Sequence, residues 1–206
     1  MFTSPRGGSR RAPINCVSCL RGAGILLVLL AALPFGQSSY WQSSAATLEQ
    51  LSFDEMTAQA TDIVYALVLG SHVAVKGDSI YTHYSVQVQE RWKGTVQPVM
   101  DVVLPGGIAG GLRQSFAGVP QLEIGRKYAM FLWTGGSGKT QVIGLTQGLF
   151  DVEESVAGEL IASRGRSSEL MLDRSGKAVQ DQAVRMPLRD MSSRVKLAAA
   201  RGKAAQ

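Results

Sequence analysis

Asp62-Ile-Val-Tyr-Ala-Leu-Val-Leu-Gly70 and Ile80-Tyr-Thr-His-Tyr-Ser-Val-Gln-Val-Gln-Glu-Arg-Trp-Lys-Gly94 decide the fold class. The first is an apolar run of the length that suits a strand covered on both faces. The second alternates, with Ile80, Thr82, Tyr84, Val86 and Val88 on one side and Tyr81, His83, Ser85, Gln87 and Gln89 on the other. That period of two marks a strand with one buried face. Lys76-Gly77-Asp78-Ser79 between them is turn chemistry, which predicts strands over about 62–75 and 79–92. Glu90 breaks the apolar row before Trp92 resumes it, so a bulge or bend is expected there.

Outward from this pair, Met100–Leu104, Lys127–Trp133, Thr140–Leu145 and Leu149–Val152 read as further strands, separated by glycine-rich turns. Residues 106–125 are expected to be irregular. Upstream, Thr47–Ala60 reads as a short helix, with Ser52 as N-cap and Glu55 three residues on completing a capping box. Downstream, Leu170–Asp181 looks like a hairpin around Ser175-Gly176. Pro187 then opens a helix whose Leu188, Met191, Val195 and Ala198 share a stripe, expected to dock on the sheet. Residues Ala198–Gln206 are expected to be disordered. The whole predicts a mainly β chain: a small OB-like β-barrel with a short N-terminal helix, a C-terminal hairpin and an amphipathic C-terminal helix.

The first 46 residues are expected to be a signal peptide. Arg6, Arg10, Arg11 and Arg21 precede the thirteen-residue apolar stretch Ala23–Phe35. That is shorter than the roughly 20 residues a spanning helix needs. The address is therefore secreted or periplasmic, with tethering to the inner membrane through an uncleaved leader as the alternative. Cys16 and Cys19, the only cysteines, both lie in the leader, leaving a cysteine-free processed chain without disulfide or thiol chemistry. Cleavage at Ala46 leaves 160 residues, divided as a barrel over 47–157 and a C-terminal segment over 158–206. Residues 47–157 carry seven basic and eleven acidic side chains, and 158–206 ten and five. A net acidic central region at an exported address argues against nucleic acid as a partner.

Motifs of chemistry are few. Gly135-Gly-Ser-Gly-Lys-Thr140 lacks the glycine that a phosphate loop needs at position 133, where Trp133 stands, and a strand follows it rather than a helix. His72 and His83 have no second histidine at ligand spacing, so no metal or other cofactor is expected. No Gly-x-Ser-x-Gly elbow occurs. Asp101, Glu123 and Asp151 could compose a carboxylate pair, which keeps a hydrolase as an alternative. The polar strand face offers Tyr81, His83, Gln87, Gln89 and Arg91 as candidate binding residues, because aromatics among hydrogen-bonding side chains suit recognition on a barrel face. Gly106 and Gly107, opening the glycine-rich loop, are a candidate rim.

The runs Asp62–Gly70, Tyr84–Gly94 and Leu122-Glu-Ile-Gly-Arg-Lys-Tyr-Ala-Met-Phe-Leu132 resemble a netrin-type OB-fold domain, the fold of the tissue inhibitors of metalloproteinases. They are closer to small uncharacterised exported bacterial domains that continue, as here, with Val-Ile-Gly-Leu-Thr-Gln-Gly-Leu-Phe150. The resemblance spans about residues 62–152. It implies an OB-type barrel and a non-enzymatic module that binds an envelope or secreted protein or glycan. Inhibition of a metalloprotease does not carry over residue by residue, since those inhibitors present an N-terminal cysteine that this chain lacks. A membrane-tethered envelope assembly factor is the remaining alternative.

Overall fold

Ser52 caps the first helix among the described residues, as the sequence predicts. Its hydroxyl accepts from the Glu55 backbone N–H, and the Glu55 carboxylate accepts from the Ser52 N–H at 2.7 Å. This is α1 (Phe53–Gln59); the three residues expected to lead into it form instead a short strand, β1 (Thr47–Glu49). The computed structural model describes residues 46–204, so the expected leader and both cysteines lie outside the described residues, Ala46 excepted.

The decisive hairpin is β2 (Asp62–Lys76) and β3 (Ser79–Lys93), joined through Gly77 in the left-handed region at φ 61°. β4 (Val99–Pro105) pairs with β3, and β7 (Lys127–Thr134) pairs with β2 on its other edge over Asp62–Leu67. Between them the expected irregular segment holds a small hairpin of β5 (Gly107–Ala109) and β6 (Leu112–Gln114). β8 (Thr140–Val142) pairs antiparallel with β7 and, through Val102 and Thr140, parallel with β4. The ladders β2–β3–β4–β8–β7 therefore return to β2 and form a closed ring. β8 is shorter than the predicted Thr140–Leu145, because Gly144 and Leu145 both turn into positive φ.

β9 (Leu149–Glu154) extends the sheet from β7, followed by β10 (Leu160–Arg164) and β13 (Val184–Pro187). Neither β10 nor β13 was expected. They make the segment after residue 158 part of the main sheet as well as a hairpin and helix. The predicted hairpin is β11 (Leu170–Leu172) with β12 (Ala178–Val179), and β11 also pairs in parallel with β1. Pro187 ends β13, an edge strand where a missing N–H is tolerated. The final helix, α2 (Leu188–Ala204), continues well past Ala198, where disorder was expected.

Two apolar clusters hold this together, with β2 as their shared wall. Val64, Ala66 and Val68 point into the ring with Val86, Val102, Met130 and Leu132. Ile63 and Tyr65 point the other way, against Met56 of α1 and Leu188, Met191 and Val195 of α2. The predicted stripe of α2 thus docks on the sheet. Each fully buried side chain of this kind contributes roughly 1.5–3 kcal/mol, which holds the described residues together without a cysteine among them. The uninterrupted apolar run of β2 follows directly from its having a core on each face.

Candidate functional site

β7 leaves β2 at Leu67, and β2 then continues with β3 alone as an arm from Gly70 to the turn at Gly77. Along the arm's outer face, β3 presents Tyr81, His83 and Gln87 in strict alternation. His72 lies opposite His83 in the register, and the two rings stack at 4.9 Å with their planes 18° apart. Asp101 on β4 sits 2.8 Å from His83 Nδ1 and so fixes the ring's orientation. The Lys139 ammonium lies 3.6 Å from the centre of the Tyr81 ring. Its hydrogen bond and charge hold the Tyr81 phenol below the usual tyrosine range.

Gln89 stays near this face, donating to Gln87 Oε1 at 3.3 Å. Arg91 does not. The register slips between Tyr65/Ala66 and again between Ile63/Val64, leaving Gln89 and Trp92 as extra residues on β3. A bulge inverts the facing of every residue beyond it. Arg91 therefore turns inward, where Nη1 donates to Asp62 Oδ1 at 2.9 Å and Nη2 to the Gln97 carbonyl at 2.8 Å. The two side chains are only 12% and 11% exposed. Arg91 is a structural clamp across the mouth of the ring. Lys93, next along, donates to the carbonyls of Thr57 and Ala58 and closes the end of α1.

Gly106 and Gly107 lie on the opposite face of the arm from Tyr81 and His83. The Gly106 N–H donates to the Ile80 carbonyl at 2.7 Å, and its own carbonyl accepts from Thr82 Oγ1 at 2.8 Å. A side chain on Gly107, at φ 146°, would meet Thr82 Oγ1 at 2.9 Å and Val73 Cγ1 at 3.3 Å. These glycines let the β5–β6 hairpin cross closely over the arm. It carries exposed Ile108 and Leu112, and exposed Phe116 follows. The structure thus brings together Tyr81, His83, Gln87 and Gln89, and separates Arg91, Gly106 and Gly107 from them. His72 was legible as a partner: four residues back from Lys76 and four on from Ser79 pair His72 with His83.

The three acids weighed for hydrolysis divide. Asp101 belongs to His83, whereas Glu123 and Asp151 meet at Arg126, 3.4 and 3.9 Å from Nη1, with Glu153 2.6 Å from Nη2. They line a cleft of about 520 Å³ with Tyr128, Arg164 and Glu169. Burial pushes the Asp151 carboxyl up, against the pull of Arg126, and burial likewise raises the Tyr128 phenol. Arg164 is held by both Asp181 oxygens at 3.0 Å. One guanidinium serving three carboxylates is a counter-ion arrangement, and no histidine lines the cleft. Among the described residues no three His, Cys, Asp or Glu side chains are placed to hold a metal ion. No helix among them is long and apolar enough to cross a membrane.

No family model matches the chain, and no curated protein matches it.

Proposed function

We propose that this chain is an exported, non-enzymatic binding module, an OB-type barrel that holds a protein partner on the arm formed by β2 and β3. The five-ladder ring supports the OB-type reading, and the basic, apolar leader supports export. The observation that carries the function is the arm's apolar rim. Val73 (40% exposed) and Val75 (61%) are exposed on the arm, and Ile108 (56%) and Leu112 on the hairpin that crosses it, with exposed Phe116 just after. Exposed apolar surface of this kind marks an interaction site. A protein fits it better than a glycan: the aromatic ring that a sugar would stack on, Tyr81, is already occupied by Lys139.

Site-specific photo-crosslinkers at Val75 and Ile108, with Gln180 as a remote control, test this in the native compartment. A single adduct from both rim positions, competed away by unlabelled protein, is expected. Equal labelling from Gln180 counts against the arm. A hydrolase reading has one observation in its favour, the raised carboxyl of Asp151 beside Glu123. It requires a hydrolytic activity that Asp151→Asn abolishes.

A further inference from the structure

The Ala46 backbone N–H donates to Glu169 Oε2 at 2.9 Å. Just beyond it, Thr47–Glu49 pair in parallel with Leu170–Leu172, and the Gln50 N–H donates to the Leu172 carbonyl. The Leu51 N–H donates to Gln147 Oε1, and the Gln147 amide, buried, donates back to the Glu49 carbonyl. A leader that ended inside β1 would strip partners from these groups. The fold therefore needs the chain from Ala46 or Thr47 onward. Glu169 is set in place for the Ala46 nitrogen. Its own N–H donates to Ser167 Oγ at 3.2 Å, Ser168 Oγ donates to its Oε1 at 3.5 Å, and its Cγ lies against Gly118, where an added Cβ would stand 3.0 Å away. Arg164 and Arg166 line the same cleft, yet among the described residues no basic side chain forms an ion pair with Glu169. The carboxylate has hydrogen-bond donors and no counter-charge.

We propose that the leader is removed at the Ala45–Ala46 bond and that the α-ammonium so released pairs with Glu169. The inference rests on the export reading and adds to it a processing site and the charge that receives the new terminus. In Gln42-Ser43-Ser44-Ala45-Ala46, small residues stand one and three places before Ala46, the spacing a leader peptidase accepts. Ser44 and Ala46 offer the same spacing one bond later, where the leader was expected to end. Glu169 decides between the two. Water, activated by a leader peptidase, adds across the Ala45–Ala46 amide. Ala45 departs with the leader as a carboxylate, and the Ala46 nitrogen takes the proton and becomes an ammonium, charged at neutral pH. A neutral donor thereby becomes a charged one, at a distance that already suits a charge-assisted bond. Cleavage one bond later would remove the Ala46 nitrogen and leave Glu169 without a counter-charge.

N-terminal sequencing and intact mass of the chain recovered from its native compartment test this. A first residue of Ala46, read as Ala-Thr-Leu-Glu, is expected. A start at Thr47, or at any residue between Met1 and Ala46, overturns the processing site while export stands. A chain that still begins at Met1 overturns both. Acylation of amines at neutral pH then reads the pairing on the recovered protein, with the lysines of the same sample as the internal reference. Glu169→Gln should leave the cleavage bond unchanged and raise labelling of the Ala46 α-amine by about threefold, the scale of a partly exposed ion pair. Equal α-amine labelling in the variant and the wild type overturns the pairing.

Discussion

Replacing Arg91 by alanine should unfold the protein more readily rather than weaken recognition. The guanidinium donates to the Asp62 carboxylate, with both side chains almost fully withdrawn from water. Removing one member of a buried pair leaves the other charge uncompensated, at a cost of about 3–5 kcal/mol. Residual exposure near one-tenth puts Arg91→Ala near the lower end, about 3 kcal/mol. Urea unfolding followed by tryptophan fluorescence reports this directly. For a slope of about 2 kcal/mol per molar, the midpoint should fall by about 1.5 M with the slope unchanged. Arg91→Met combined with Asp62→Leu should recover most of that loss, because no charge then remains to be buried. An Arg91→Ala stability within about 0.5 kcal/mol of wild type, the range of ordinary surface changes, would refute the inward placement and restore Arg91 to the strand face.

Three further outcomes follow from the geometry. Gly94→Ala should destabilise by about 2 kcal/mol or more in the same assay, since φ is 100° and the new Cβ would stand 2.1 Å from Asp62 Oδ1 and 2.8 Å from the Thr61 carbonyl. Gln147→Leu should cost about 2 kcal/mol, because the buried amide accepts from the Leu51 N–H and donates to the Glu49 carbonyl, both at 2.9 Å; faster amide exchange at Leu51 would show the N-terminal segment loosening. The acid limb of stability should change in opposite senses at two carboxyls. Glu55 is held low by the Ser52 cap, so its contribution is present above the ordinary carboxylate range and lost as pH falls through its lowered value. Asp151 is raised by burial, so its contribution is present below that range and lost as pH rises through its raised value. Glu55→Gln should therefore lose most stability relative to wild type at neutral pH, and Asp151→Asn at acid pH, as read from thermal midpoints at the two values.

Local signals carried far in this chain. The capping box at Ser52 and Glu55, the turn at Gly77 and the stripe of Leu188, Met191 and Val195 are each written within a few residues, and each sits where the sequence places it. What the sequence hides is long-range. β10 and β13 are short, mixed in polarity and held as strands by their ladders with β9 and with each other. β1 gains its strand character from Leu170–Leu172, far along the chain. The candidate site was half legible for a related reason. Alternation identified Tyr81, His83 and Gln87 as one face, but it could not show that the bulge at Gln89 inverts Arg91, even with the interruption at Glu90 in view. Asp101 joins that face through the β3–β4 ladder, and Lys139, just before β8, through the β4–β8 bridge, neither of which a local pattern announces.

One strand serving as the partition between two apolar compartments leaves the molecule without a seam. α2 peeling away exposes Ile63 and Tyr65, which alternate along β2 with the Val64, Ala66 and Val68 that seal the ring, so neither compartment opens without loosening the strand that lines the other. Partial unravelling then offers proteases little to grip, and loss of structure should come in a single step. The described residues hold no cysteine, and for them that indivisibility takes the place of covalent reinforcement.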